Sequence, residues 1–179
     1  VCEVHVVSVD GECRELLLLL GGHCCGPVSF HCVNLGRRPV AFCVQEAETV
    51  LPVVADVPLE YLYEPNASVL KAGVQDALCA RFDVEKLHRN SNLFTASRLV
   101  ENFPGRAFRV QACHDFSKQS LKSLQAQMTK ANLTVRNFPS TVEQLRKRLK
   151  LKDGGDVYLF ATTLSGDRHV LLQCEKIKE

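Results

Sequence analysis

The sequence predicts an α+β fold in two parts. A small, mostly β subdomain covers residues 1–58, and an α/β domain with a mixed sheet covers residues 59–179. Three observations carry this. The first 45 residues hold runs of β-branched and apolar residues separated by turn signals. After Leu59, helical and strand periodicities follow one another along the chain. The charge is unevenly shared, at −4 over residues 1–59 and +6 over residues 60–179. Such asymmetry separates two units with different roles.

Each element has a local reason. Glu3 to Val9 places Val4, Val6, Val7 and Val9 in a strand, and Asp10-Gly11 is a strong hairpin turn. Cys13 to Leu20 is the returning strand, although its five leucines also suit a helix; Gly21-Gly22 breaks it. Val28 to Leu35 and Val40 to Gln45 are two more strands, joined by Gly36-Arg37-Arg38-Pro39, and Pro52 and Pro58 mark the exit. Pro65 suits the first turn of a helix whose apolar face holds Val69, Leu70, Val74, Ala77 and Leu78. Leu93 to Thr95 is a short strand, and Phe103-Pro104-Gly105 is a turn. Arg106 to Cys113 is a strand with Phe108, Val110 and Ala112 on one face.

Ser117 then caps a helix with Leu121, Leu124 and Met128 on its inner face. Leu133 to Phe138 is a strand with Leu133, Val135 and Asn137 facing one way and Thr134, Arg136 and Phe138 the other. Ser140-x-x-Glu143 is a capping box, opening a helix that buries Val142, Leu145 and Leu149. Val157 to Leu164 and His169 to Glu175 form a hairpin around Ser165-Gly166-Asp167. The order fits an α/β sandwich.

Composition excludes several classes. The chain is 46% hydrophobic and 23% charged, which is ordinary for a soluble globular protein. No apolar run is long enough to span a bilayer, so no membrane partner is expected, and a cytoplasmic location is. The chain begins at Val1, directly in a strand pattern, and reads as a fragment or processed product. Nine cysteines are present, six of them by Cys43. No Cys-x-x-Cys pair occurs, so His23, Cys24, Cys25, His31 and Cys32 lack the usual zinc spacing. Reduced thiols acting as small buried hydrophobes are the expectation, with no metal ligands assigned.

Catalytic motifs are missing too. Gly21-x-x-x-x-Gly26 is followed by Pro27 and Val28 where a phosphate loop needs Lys and Ser or Thr. No Gly-x-Gly-x-x-Gly occurs, and Asn137-Phe138-Pro139 is not the Asn-Pro-Pro-aromatic motif of base-amino methyltransferases. His88, His114 and His169 are isolated in sequence, and the sequons at Asn66 and Asn132 mean little without secretion. No catalytic or cofactor-binding residue is therefore expected in this chain.

What remains is a basic segment. From Lys118 to Lys152 there are nine basic residues and one acid, Glu143. The basic residues are Lys118, Lys122, Lys130, Arg136, Arg146, Lys147, Arg148, Lys150 and Lys152. Asn132 and Asn137 lie among them and add amides able to meet phosphates or base edges. A single basic helix face is routine in a soluble protein. Two helices and a strand sharing one sign point to a polyanion such as RNA. Only Phe116 and Phe138 lie nearby, so backbone or shape recognition fits better than base stacking.

Some segments resemble a known family. Leu59-Glu60-Tyr61-Leu62-Tyr63-Glu64-Pro65-Asn66-Ala67 and Leu70-Lys71-Ala72-Gly73 are similar to the opening of the THUMP-like region of bacterial class I S-adenosylmethionine-dependent methyltransferases. Lys86-Leu87-His88, Phe103-Pro104-Gly105-Arg106, Ala131 through Pro139, and Leu145 through Thr163 continue the resemblance, which spans about residues 59–176. Val4 to Leu17 is similar to a segment that follows the catalytic domain in those proteins, within a small ferredoxin-like subdomain. The resemblance thus implies a partial ferredoxin-like subdomain at 1–58 and a THUMP-like domain at 59–179. It also implies a parent enzyme whose N-terminal methyltransferase domain, missing here, binds S-adenosylmethionine, and a role in delivering structured RNA to it. The competing expectations are a protein-docking module that holds the catalytic domain through the acidic N-terminal part, and a metal or redox module built on the early cysteines.

Overall fold

A two-residue turn starts the first sheet. Asp10 and Gly11 both take positive φ, at 50° and 82°, the geometry of a tight hairpin turn. They join β1 (Glu3–Val9) to β2 (Glu12–Leu19), so the second run is a strand and not a helix. β3 (Ser29–Leu35) pairs parallel with β1, and β4 (Val40–Gln45) pairs antiparallel with β3. The sheet order is β2-β1-β3-β4. The structure, a computed structural model, describes residues 1–22, 26–36, 38–46 and 51–177. His23, Cys24, Cys25 and Arg37, named above, lie outside the described residues.

By contacts the chain divides into two compact units. The first comprises Val1–Val53, Glu64–Val84 and Val100–Arg106; the second comprises Val54–Tyr63, Glu85–Leu99 and Ala107–Glu179.

In the first unit, strand alternation sorts the sheet into two faces. Val6, Cys32 and Phe42 are in register across β1, β3 and β4, and all three are buried. Helix α1 (Ala67–Ala72) packs on the sheet. The opposite face carries Glu3, His5, His31 and Cys43. Pro65, expected in a first helical turn, instead ends strand β5 (Tyr61–Pro65), and the helix begins at Ala67. Gly73, at φ 75°, stops α1, and a separate α2 (Ala77–Phe82) follows. The single amphipathic helix expected here is therefore two short ones.

Gly105 is the tightest point of this unit. A Cβ there would overlap the carbonyl oxygen of Glu64 and the Cα of Pro65, and would press on the Phe103 ring. The Glu64 side chain is buried and accepts from Arg106 through Nε at 3.1 Å and through Nη2. The glycine lets the backbone of the Phe103-Pro104-Gly105-Arg106 segment approach closely enough for this pair to form.

The second unit is built on a mixed sheet of order β6-β7-β5-β8-β11-β10-β9. The strands are β6 (Glu85–Lys86), β7 (Phe94–Ala96), β8 (Gly105–Asp115), β9 (Asn132–Arg136), β10 (Val157–Leu164) and β11 (Arg168–Lys176). The end residues of β5 and β8 belong to the first unit. The pairings β6–β7, β5–β7, β8–β11 and β10–β11 are antiparallel, and β9–β10 is parallel. This is the mixed sheet that the sequence predicts. A 3-10 turn over Ser165–Asp167 closes the β10–β11 hairpin at the expected residues.

Both faces of the β10–β11 pair are buried, which explains the near-continuous apolar run of β10. Leu159, Ala161 and Leu171 join a cluster with Leu121, Leu124, Leu133, Leu145 and Leu149. Phe160, Leu164, Val170 and Leu172 join another with Phe108, Leu62, Leu87 and Leu93. Helices α3 (Lys118–Gln127) and α4 (Val142–Leu149) cover the first of these faces. No helix among the described residues is long and apolar enough to cross a membrane.

The thiols divide by burial. Cys13 and Cys43 are free and exposed, while Cys32 and Cys174 are free and buried. Burial, and secondarily the neighbouring Cys43, pushes the Cys32 thiol up to about 12; burial and then Cys113 do the same for Cys174. Cys2 is disulfide-bonded, so the expectation of uniformly reduced thiols fails at that position.

Two outcomes are expected. With a thiol reagent at neutral pH, mass-mapped labelling reaches Cys13 and Cys43 in the native protein, and Cys32 and Cys174 only after denaturation. Gly105→Ala destabilises the fold by about 3 kcal/mol, because the added methyl overlaps backbone atoms that cannot rotate away. Urea unfolding followed by circular dichroism measures this.

Candidate nucleic-acid interface

The basic segment folds as α3, β9 and α4 over one apolar cluster. Ser117 caps α3, its hydroxyl accepting from the Ser120 N–H at 3.1 Å. Leu121 and Leu124 point inward, and Met128 packs partly against the same cluster. α4 opens with a capping box, but one residue later than the sequence predicts. Thr141 is the N-cap and Gln144 is its partner, so Ser140 and Glu143 do not form the box. Val142, Leu145 and Leu149 still face the cluster. Glu143 stands in the first turn, where the helix dipole favours an acid. A hydrogen bond from Thr141, and then one from its own backbone N–H, hold its carboxyl below the usual range.

β9 ends at Arg136 because Asn137 turns into the left-handed region, at φ 50°. That turn breaks the strand alternation. Phe138 was expected on the face opposite Leu133 and Val135, yet it packs with them against the same cluster.

The candidate residues fall into two groups. In the first, side chains are engaged within the fold. Asn132 donates to the Gly155 carbonyl at 2.7 Å and to the Val157 carbonyl at 3.3 Å. Arg136 donates to its neighbour's carbonyl, that of Val135, at 3.0 Å. Asn137 donates to His88 Nδ1 at 3.0 Å, and its own carbonyl accepts from the Thr163 hydroxyl. Arg146 pairs with Asp153 at 2.8 Å. The Arg148 guanidinium lies 4.7 Å over the Phe116 ring, and the Arg148 carbonyl accepts from Gln125.

The second group is Lys118, Lys122, Lys130, Lys147, Lys150 and Lys152. All are exposed, and none forms an ion pair among the described residues. Lys118 and Lys122 are four apart on α3 and neighbour one another on its surface. Lys147 and Lys150 lie at the end of α4, Lys150 being its C-cap. Lys130 and Lys152 meet across an isolated parallel bridge. The end of α4 is also where helix carbonyls favour cations, so part of this charge serves the helix itself.

The structure also gathers residues that are far apart in sequence. His88 accepts from Asn137 and from the Asn90 N–H, and its Nε2 lies 3.5 Å from Asp167. Thr163 Oγ1 is 3.0 Å from His169 Nδ1, and the His169 ring meets Phe138 at 5.3 Å. Phe138 in turn meets Phe116 edge-on at 4.9 Å. His88 and His169 thus have partners that no spacing rule could have indicated. Among the described residues, no glycine opens a helix after a strand. Gly11, Gly73, Gly154, Gly155 and Gly166 all have positive φ, with Gly11 and Gly166 in hairpin turns and Gly73 at a helix C-cap.

The comparisons accord with this architecture. Residues 105–176 match a THUMP domain-like family, and residues 61–104 match a ferredoxin-like domain family. The chain thus carries a THUMP-like domain beside a ferredoxin-like one, and residues 1–60 lie outside both matches. A crystal structure described as a "putative methyltransferase" from Porphyromonas gingivalis W83 superposes with a TM-score of 0.90 at 34% sequence identity. That alignment covers 99% of this chain and 46% of the other, so this chain spans about half the length of the protein it matches. No curated protein is significantly similar to it.

The Asn137 turn gives a test. Asn137→Ala loses the His88 contact and places an alanine at positive φ, so thermal or urea unfolding is expected to show a loss of about 2 kcal/mol. Asn137→Gly keeps the backbone geometry and loses only the side-chain bond, so it costs about half as much.

Proposed function

We propose that this chain is a non-catalytic, RNA-binding accessory region of an S-adenosylmethionine-dependent methyltransferase. It positions structured RNA for a catalytic domain, which the family resemblance implies as an N-terminal part of the parent protein. The observation that carries the reading is the set of exposed lysines on α3, on α4 and at the Lys130–Lys152 bridge, free of carboxylate partners among the described residues. Ammonium groups not neutralised within the fold are available to phosphates, and binding them releases counterions. The THUMP-like match over the same residues and the likeness to a putative methyltransferase support the accessory role.

A second reading has its own observation. Leu16, Leu17, Leu18 and Leu19 on edge strand β2 are each more than half exposed. An apolar edge strand with unpaired backbone groups favours docking to another protein surface. In that reading the chain holds the catalytic domain and binds no RNA.

Binding of a structured RNA, followed by fluorescence anisotropy at two salt concentrations, separates the two. The accessory reading expects affinity to fall steeply with salt. Lys147→Ala with Lys150→Ala and Lys152→Ala is expected to weaken binding about tenfold and to flatten the salt dependence, since phosphate contacts are lost. Arg146→Ala is a poorer probe, because it also breaks the Asp153 pair. An absence of RNA binding at low salt removes the RNA reading and favours docking.

A further inference from the structure

On the face of the first sheet opposite α1's buried contacts, three ligating side chains converge. Glu3 and His5 are two apart on β1, so both project from the same face. His31 on β3 is in direct register with His5. The two imidazoles stack, with centroids 4.4 Å apart and planes within 7°. Both turn Nε2 toward one carboxylate. Glu3 Oε2 lies 2.7 Å from His5 Nε2 and 3.7 Å from His31 Nε2. The three donor atoms all lie within 4.8 Å of one another.

The His31 end of this arrangement is unsatisfied. His31 Nε2 is buried and makes no hydrogen bond. At 3.7 Å the carboxylate is too far to accept from it. It is close to the right distance for sharing an ion, since ligands about 2.1 Å from a tetrahedral zinc stand about 3.4 Å apart. The other ring nitrogen is held as well: His31 Nδ1 lies 3.3 Å from Cys43 Sγ, and Cys43 is in register with His31 on β4. A hydrogen bond at Nδ1 orients the ring and leaves Nε2 free to ligate, the usual support for a metal-binding histidine. A pocket of about 250 Å³ lies beside His31 and Cys43, and the His5 and Glu3 side chains are each about a third exposed, so water can reach the donor atoms as a fourth ligand.

We infer that Glu3, His5 and His31 form a binding site for a first-row divalent metal ion, zinc being the best fit. Cys43 is a positioning residue that acts through the His31 ring. Two imidazoles and one carboxylate with an open fourth position are a nitrogen- and oxygen-rich donor set that suits zinc at this spacing. The site uses strand residues whose Cα positions are fixed by the ladder, so the ion needs side-chain adjustment alone: the stacked His5 and His31 rings must tilt so that their in-plane Nε2 lone pairs converge, and the Glu3 carboxylate must shift away from His5. It draws on none of the lysines assigned to RNA above, and it stands or falls independently of that reading.

The test is calorimetric titration of the full chain with zinc chloride after chelator treatment and dialysis. One equivalent is expected to bind. His5→Gln combined with His31→Gln is expected to weaken binding about a hundredfold, while Cys43→Ala weakens it about tenfold. Far-UV circular dichroism establishes that each variant is folded. Cobalt(II) substitution of the unmutated chain supplies a second readout. A site of two histidines and a carboxylate gives visible d–d bands without the strong thiolate-to-cobalt absorption of cysteine ligation. Absence of zinc binding, equal binding by the double variant, or a dominant thiolate band overturns the inference.

Discussion

The second unit depends on the burial of β10 and β11 from both sides. Alternate residues of each strand feed different apolar clusters, so each strand joins the two layers of the unit. Phe160 meets Phe108 edge-to-face at 4.8 Å on one side, while Leu159 and Ala161 meet the leucines of α3 and α4 on the other. Each fully buried leucine or phenylalanine contributes about 1.5–3 kcal/mol, set against the ordering of a flexible chain. Thr162 and Thr163 sit in this apolar run, and each finds a partner, Ser91 for the first and Asn137 for the second. Their hydroxyls are thus satisfied, which matters because an unpaired one in such surroundings is costly.

This layering also decides where the charge goes. Once Leu121, Leu124, Leu145 and Leu149 are committed inward, the remaining positions of α3 and α4 have no place but the surface. The arginines then behave differently from the lysines. Arg146 and Arg148 bind into the domain, one to a carboxylate and one to an aromatic face, as planar guanidinium groups readily do. The lysines stay exposed to solvent. A charge count on the sequence treats both kinds as equal, whereas the fold spends the two arginines on its own packing and leaves the ammonium groups outward.

Most strands were legible because alternation and turn chemistry are local. The Asp10-Gly11 hairpin, the run of β8 and the β10–β11 hairpin all follow from neighbouring residues. What escaped depends on long-range competition or on single dihedrals. Ser140-x-x-Glu143 and Thr141-x-x-Gln144 both satisfy the capping pattern, and the sequence offers no way to choose between adjacent registers. The reversal of Phe138 rests on one left-handed asparagine. The clusters His88–Asn137 and His5–His31 bring together residues 49 and 26 positions apart, a proximity that only sheet topology creates. The candidate lysines could be named from sequence, but not separated from residues such as Asn132, whose amide the turn before β10 consumes.

Lys150 carries a last consequence. It ends α4 in the left-handed region at φ 55°, where its N–H serves the carbonyls of Arg146 and Lys147. Glycine is the residue best suited to that backbone, and a side chain there costs about 1 kcal/mol. The position therefore sets two demands against each other: local comfort of the chain, and a cation at the rim of the domain. Among the described residues the ammonium group makes no compensating ion pair. The carbonyls at the end of α4 favour a positive charge there and offset part of that cost, so a glycine at this place would exchange a relaxed backbone for the loss of that charge at the helix end.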